Sequence, residues 1–180
     1  LKAGEHIAIF GAGPIGLLAA MAAMEYGATP ILIDLVEERL NLAAESGVKH
    51  LINLKTDDLM EKIREYTNGM LCECVLEASG ANSAIRSTLD VVCHAGRIAF
   101  TGWPHSETSL PTDLFTKKEI DLLGSRTSAG EFEEAVDLIY RKKIDVSKLV
   151  TKTVSIDDAP QAVRDLEQFP EQYMKITVVF

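Results

Sequence analysis

The sequence predicts an α/β protein with a doubly wound, parallel sheet of six strands. Short apolar runs alternate with longer helical segments, and glycines stand at many of the junctions between them. The composition is that of an ordinary globular protein, with 47% hydrophobic and 25% charged residues among 180. Strands that alternate with helices in this way form parallel sheets through right-handed crossovers.

The first strand, turn and helix have the clearest pattern. An apolar run over residues 6–10 ends at a glycine, and the almost uniformly apolar stretch 14–26 follows. Pro14 has the fixed φ that suits a first helical turn, and Gly27 can end the helix. Because a helix that is apolar on all sides must be covered on more than one face, we expect the sheet to cover only one of its faces.

The same alternation continues as far as residue 124. The predicted strands are 30–33, 48–53, 72–76, 97–101 and 120–123, and the predicted helices are 37–46, 57–66 and 82–92. A polar loop over 103–111, bounded by two prolines, precedes the sixth strand.

Beyond residue 128 the strand-helix alternation stops. Ser128 and Glu131 have capping-box spacing and predict a helix with one apolar face. A second capped helix follows Asp157, and residues 175–180 resemble a strand. We therefore expect one domain over residues 1–128 and a C-terminal segment over 129–180.

Composition also argues against several classes of partner. The chain has 27 acidic and 18 basic side chains, so its net charge of −9 gives no attraction for nucleic acid or anionic lipid. No apolar run is long enough to cross a bilayer, and no basic segment precedes an apolar run at the start. The three cysteines form no pairing pattern, and we expect reduced thiols in the cytoplasm.

A glycine-rich motif lies between the first strand and the first helix. It reads Gly11-Ala12-Gly13-Pro14-Ile15-Gly16, a G-x-G-x-x-G in the strand-turn-helix context that gives this pattern its meaning. The first glycine permits the tight turn, the second lets a pyrophosphate approach the backbone, and the third lets the helix pack closely on the strand. Backbone N–H groups and the helix dipole then favour the negative charge. The motif predicts a dinucleotide site.

Asp34 stands at the end of the second predicted strand, 21 positions after Gly13. An acidic side chain there accepts hydrogen bonds from the adenosine ribose and repels a 2′-phosphate, so we predict NAD(H) rather than NADP(H). Arg39 either reaches the adenosine end of the cofactor or is simply an exposed helical arginine.

The turns after the fourth and fifth strands contain Gly80 and Gly102. Because ligands of open α/β sheets lie outside the carboxyl ends of the strands, these turns should flank the nicotinamide half. The alternative is that both are plain turn glycines. Trp103 either lines the cleft beside them or covers loop backbone.

The cysteines and histidines do not predict a metal site in this chain. Cys72 and Cys74 lack the spacing of a zinc knuckle and are interpreted as packing residues. Cys93 and His94 are adjacent on a predicted strand and should point in opposite directions.

Several motifs occur together in this chain, namely residues 1–5, the 11–16 turn, Asp34, the turn Glu77-Ala78-Ser79-Gly80, the segment 96–102 and residues 175–180. The combination resembles the cofactor-binding half of zinc-type medium-chain alcohol dehydrogenases, and nearly the whole chain is covered. It is most similar to the polyol and sugar-acid branch, which includes sorbitol, threonine and galactitol-phosphate dehydrogenases. The resemblance implies a Rossmann-type sheet and supports cofactor roles for the glycines and Asp34.

The resemblance also implies NAD-dependent oxidation of a secondary alcohol that is polarised by zinc. In this family the metal ligands lie in a preceding GroES-like domain, and the C-terminal helices and last strand return to that catalytic domain. We therefore expect neither catalytic residues nor metal ligands here, and a chain that is inactive alone. The start at Leu1 suggests a piece of a longer polypeptide.

Two other functions stay open at this point. One is an NAD-binding sensor or regulatory module without catalysis. The other is a methyltransferase, which the position of the third glycine and the start at Pro14 disfavour.

The sixth strand, Glu119–Gly124, should lie at a sheet edge with apolar side chains and unpaired backbone groups. Such an edge favours pairing with a second copy, and the resemblance points the same way. We therefore expect a homo-oligomer.

Overall fold

The computed structural model describes residues 1–169 and 171–180. The strands are β1 (His6–Phe10), β2 (Thr29–Asp34), β3 (His50–Asn53), β4 (Cys72–Glu77), β5 (Val92–Phe100), β6 (Asp121–Gly124), β7 (Val150–Ser155) and β8 (Lys175–Val179). The helices are α1 (Pro14–Glu25), α2 (Glu37–Glu45), α3 (Leu59–Tyr66), α4 (Asn82–Val91), α5 (Asp113–Lys118), α6 (Phe132–Tyr140) and α7 (Ala159–Gln168).

Six of the strands form one parallel sheet in the order β3-β2-β1-β4-β5-β6. The order reverses between β1 and β4, which is the switch point where open α/β sheets bind ligands. The carboxyl ends of β1, β2, β4 and β5 therefore lie at one edge of the sheet. This confirms the predicted fold class.

The core has two clusters, one on each face of the sheet. Neighbouring residues of β1 divide between them, since Phe10 packs in one cluster and Ile9 in the other. Leu17 and Ala20 of α1 belong to the cluster with Ile9. This alternation follows from the two-residue period of a strand whose faces are both covered.

The C-terminal segment packs against the α1 face of the sheet. Leu149 and Met174 are buried in the same cluster as Leu17, and Lys143 forms an ion pair with Glu25 at the end of α1. The segment thus supplies part of the second cover that the apolar α1 helix requires. It also carries a separate two-stranded parallel sheet, β7-β8.

The structure corrects several predicted element bounds. β3 begins at His50 rather than residue 48, and β5 begins at Val92 directly after α4. Glu119 ends α5 in a left-handed conformation with φ 55°, so the sixth strand starts only at Asp121. Asp58 accepts a hydrogen bond from the Glu61 N–H at 2.8 Å, and this cap starts α3 at residue 59.

α5 and β7 lie where the sequence predicts no element, and Ser128 is not the N-cap of α6. α6 begins at Phe132 with Glu131 as its N-cap, because Gly130 interrupts the chain at φ 122°. The Glu131 carboxylate instead accepts from the Ala129 N–H at 2.8 Å. In the described residues, no helix combines the length and the apolar character that crossing a bilayer requires.

Candidate functional site

The glycine turn between β1 and α1 is held close to its neighbours. Gly11 has φ +100°, and its N–H donates to the Ile33 carbonyl of β2 at 2.8 Å. A Cβ on Gly16 would lie 1.8 Å from the Gly11 carbonyl oxygen, so only glycine allows α1 to start here. A Cβ on Gly13 would meet nothing within 4 Å, which leaves open space in front of this residue.

The amino end of α1 faces the same open space. Pro14 is the first helical residue, and the side chain of Ile15 is 56% exposed at the mouth of the turn. The first N–H groups of a helix have no partner within the helix, and the positive end of its dipole lies there. The turn therefore suits an anionic group such as a pyrophosphate.

Asp34 closes the side of this space at the end of β2. Its carboxylate accepts hydrogen bonds from the backbone N–H groups of Ala12 at 2.6 Å, Leu35 at 2.7 Å and Val36 at 2.9 Å. The first of these bonds fixes the carboxylate directly against the glycine turn. A cavity of about 90 Å³ opens beside it, with a lining that includes Gly11, Leu35, Ser79, Ala81 and Ala84.

Gly80 and Gly102 lie next to each other at the same edge of the sheet. A Cβ on Gly80 would lie 2.6 Å from the Trp103 carbonyl oxygen, and a Cβ on Gly102 would lie 2.4 Å from the Gly80 nitrogen. Ser79 in turn approaches the glycine turn, since its nitrogen is 3.1 Å from the Cβ position of Gly11. These contacts place the β4 and β5 turns beside the β1 turn. Both glycines are thus required by close backbone packing.

The structure places the remaining predicted residues as follows. Arg39 on α2 lines a different cavity, of about 180 Å³, together with Thr151 and residues 171–174. Its contact with the adenosine end of a cofactor stays a prediction. The Trp103 ring is 73% exposed, and the Arg126 guanidinium lies over it at 5.0 Å.

The cysteines are free thiols in buried or half-buried positions. Burial raises the pKa of Cys72 to about 12 and that of Cys74 to about 11, which fits the predicted packing role. The described part of the chain contains no group of three or more His, Cys, Asp or Glu side chains that could bind a metal ion.

Sequence reasoning missed one side chain of this site, Glu77 at the end of β4. It is fully buried and lies under the Ser79-Gly80 turn. The available signal was a charged residue that directly follows the apolar run Cys74-Val75-Leu76 and precedes Ala-Ser-Gly. A charged residue at a strand end is ordinarily exposed to solvent, and only the structure shows that this carboxylate is enclosed.

Comparison with known proteins adds independent information. The profile of the zinc-binding dehydrogenase family matches residues 14–141. An uncharacterized zinc-type alcohol dehydrogenase-like protein of Haemophilus influenzae is 51% identical over 180 residues, which cover 100% of this chain and 53% of that protein. A sorbitol dehydrogenase of Bacillus subtilis is 32% identical, with 99% of this chain and 51% of that protein covered.

Solved structures show the same likeness. An alcohol dehydrogenase of Escherichia coli CFT073 in complex with NADH superimposes with a TM-score of 0.91 at 25% identity, covering 99% of this chain and 53% of that one. L-idonate 5-dehydrogenase of Escherichia coli gives a TM-score of 0.89 at 27% identity, with coverages of 99% and 51%. The chain therefore spans about half the length of these relatives.

The family profile covers most of the chain, and the six-stranded sheet with its glycine turn agrees with it. The chain belongs to the zinc-binding dehydrogenase family and corresponds to the cofactor-binding half of its members.

Proposed function

We propose that this chain is the NAD(H)-binding half of a dehydrogenase that oxidises a secondary alcohol of a polyol, a sugar acid or a similar small molecule. The observation that carries the proposal is the Asp34 carboxylate, which is fixed against the glycine turn by the Ala12 N–H. An acidic group in this position suits the ribose hydroxyls of NAD(H) and disfavours a 2′-phosphate.

The residues present fit a dinucleotide. Gly13 leaves open space before the amino end of α1, where the pyrophosphate would lie, and Asp34 would hold the adenosine ribose. The turns that contain Gly80 and Gly102 would flank the nicotinamide half. When bound, the nicotinamide accepts the hydride of the alcohol. The chain's own residues bind and orient the dinucleotide.

The substrate class is supported by the relatives. They include a sorbitol dehydrogenase, a D-xylulose reductase of Saccharomyces cerevisiae and the L-idonate 5-dehydrogenase. We propose that zinc and the catalytic groups belong to the other half of the whole protein, because the family is one of zinc-binding dehydrogenases and the chain spans about half the length of its relatives. The free cysteines fit a reducing compartment, and we propose that the protein is located in the cytoplasm.

Titration of the protein with NADH and NADPH tests the cofactor preference. We expect NADH to bind at least about tenfold more tightly, a difference of about 1.4 kcal/mol. In Asp34→Ser the two affinities should become similar, because the repulsion of the 2′-phosphate is lost. Asp90→Ser is the matched control, since this exposed aspartate lies in the last turn of α4, beside the start of β5 and at the opposite edge of the sheet from the site. Equal affinities in the unmodified protein would contradict the assignment.

Turnover separates a dehydrogenase from a sensor. The whole protein should reduce NAD⁺ in the presence of sorbitol, xylitol or L-idonate. Tight NADH binding without turnover of any alcohol would favour the regulatory module. Binding of S-adenosylmethionine in place of NADH would favour the methyltransferase.

A further inference from the structure

Glu77 is a buried carboxylate that has no role in cofactor binding as described above. It is 0% exposed at the carboxyl end of β4, where the strands adjoin the proposed cofactor. Burial of a charged group is costly unless hydrogen bonds satisfy it. Its presence here therefore calls for a compensating role.

The carboxylate of Glu77 is satisfied by the turn that follows it. Its Oε1 accepts from the Ser79 N–H at 2.9 Å, from the Ser79 hydroxyl and from the Gly80 N–H at 3.0 Å. Its Oε2 lies 3.2 Å from the same Gly80 nitrogen. Charge-assisted hydrogen bonds of this kind are stronger than neutral ones. One side chain thus fixes both residues of the turn.

The same residue also holds the neighbouring turn after β5. The Glu77 carbonyl oxygen accepts from the N–H groups of Thr101 at 2.9 Å and Gly102 at 3.0 Å, and from the Thr101 hydroxyl at 3.0 Å. A Cβ on Gly102 would lie 2.3 Å from Glu77 Oε2. The carboxylate therefore fills the space between the two glycine turns.

The adenosine side of the site is anchored in a different way. Among the residues that line the cavity beside Asp34, Ser79 is the one that bonds to the Glu77 side chain. Ala81 and Ala84 also line it, and helix α4, which starts there, is fixed by the buried side chains of Ile85 and Leu89. These apolar contacts do not involve Glu77. Loss of its carboxylate should therefore disturb the Gly80 and Gly102 turns more than the adenosine cavity.

From this arrangement we infer that Glu77 is a positioning residue that sets the two glycine turns at the distance the nicotinamide ring requires. The inference deepens the proposed function and rests on it. Glu77 acts through the turns and does not touch the cofactor. Its removal should weaken the nicotinamide half of the binding interaction selectively.

Binding of NADH and of ADP-ribose, which lacks nicotinamide, separates the two halves. In Glu77→Ala we expect the Kd for NADH to rise about tenfold, the effect of about one lost charged hydrogen bond. The Kd for ADP-ribose should change less than about twofold. Glu77→Gln, which retains one acceptor oxygen, should restore most of the NADH affinity. Glu73→Gln is the matched control, because this carboxylate accepts from the His6 N–H at the opposite end of β4.

The possible outcomes are distinct. A parallel loss of NADH and ADP-ribose binding in Glu77→Ala, or no loss at all, would overturn the inference. If Glu77→Ala does not fold, Gly102→Ala decides, since its Cβ displaces the same turns and should reduce the preference for NADH over ADP-ribose. If the unmodified protein does not bind NADH, the proposed function itself fails, and the inference fails with it.

Discussion

At the scale of single residues, Gly13 and Gly16 have opposite roles within one motif. A Cβ on Gly16 would lie 1.8 Å from the backbone oxygen of Gly11, whereas a Cβ on Gly13 would meet nothing within 4 Å. Gly13 also has an ordinary φ of −71°, which any residue can adopt. The fold thus requires Gly16, and only a ligand in front of the turn would require Gly13.

This difference predicts opposite effects of alanine substitutions at the two positions on stability and on NADH binding. Gly16→Ala should lower the free energy of unfolding by about 3 kcal/mol or prevent folding, because backbone must move to admit the methyl group. Gly13→Ala should change it by less than about 1 kcal/mol and yet weaken NADH binding more than about tenfold. Urea unfolding and NADH titration measure the two effects. Undiminished NADH binding by Gly13→Ala would show that no pyrophosphate lies at this turn.

The residues of the site differ in how far the sequence predicts them. The glycine turn follows from spacing within six neighbouring positions, and Asp34 follows from its place at the end of the next strand. Glu77 could not be found this way. Its carboxylate lies against Gly102, and Trp103 packs on Gly80; only the folded sheet brings these two residues over the β4 turn.

At the scale of elements, the strong apolar periodicity of the first five strands and the helices between them made them predictable. The unpredicted elements lack that signal. α5 has six residues, none of them buried, and β7 has a mostly exposed burial pattern. Both depend on contacts distant in sequence, since Leu114 and Phe115 of α5 pack against the core and β7 pairs with β8. The local sequence pattern is a weak predictor of elements that form mainly through tertiary contacts.

An ion pair ties the beginning of the chain to β5 and predicts a pH effect. The hydrogen bond from Arg97 lowers the pKa of Glu5 to about 2. Because this pKa is lower in the folded chain, the ion pair stabilises the fold fully above the ordinary glutamate pKa of about 4.3. That contribution should be lost as the pH falls from there towards about 2.

Urea unfolding between pH 6 and pH 2.5, values taken on either side of the ordinary glutamate pKa of about 4.3, measures this effect. In Arg97→Met the decline in stability across this interval should be shallower than in the unmodified protein, since Glu5 then titrates near its ordinary pKa in both states. Arg64→Met, which changes an exposed arginine of α3, is the control. Identical pH profiles for the unmodified protein and Arg97→Met would show that the pair does not contribute.

At the scale of the whole molecule, β6 is the end strand of the sheet, and within the described residues it pairs with β5 alone. Leu122 and Leu123 are 43% and 53% exposed there. An edge strand with apolar side chains is normally protected by charge, by a covering element or by pairing with another strand. Neither leucine supplies charge, and their exposure shows that the described residues do not cover them. Pairing with the same edge of a second copy would satisfy both the backbone groups and the apolar side chains.

We therefore predict that the protein is a homo-oligomer that assembles through β6. Light scattering after size-exclusion chromatography at micromolar concentration should give a mass above that of the single chain. Leu123→Lys should shift the protein to a monomer, because a lysine on an edge strand opposes strand pairing at little cost to the fold. Met70→Lys, at an exposed turn before β4, should leave the mass unchanged. A monomeric unmodified protein would contradict the prediction, and an oligomer insensitive to Leu123→Lys would place the interface elsewhere.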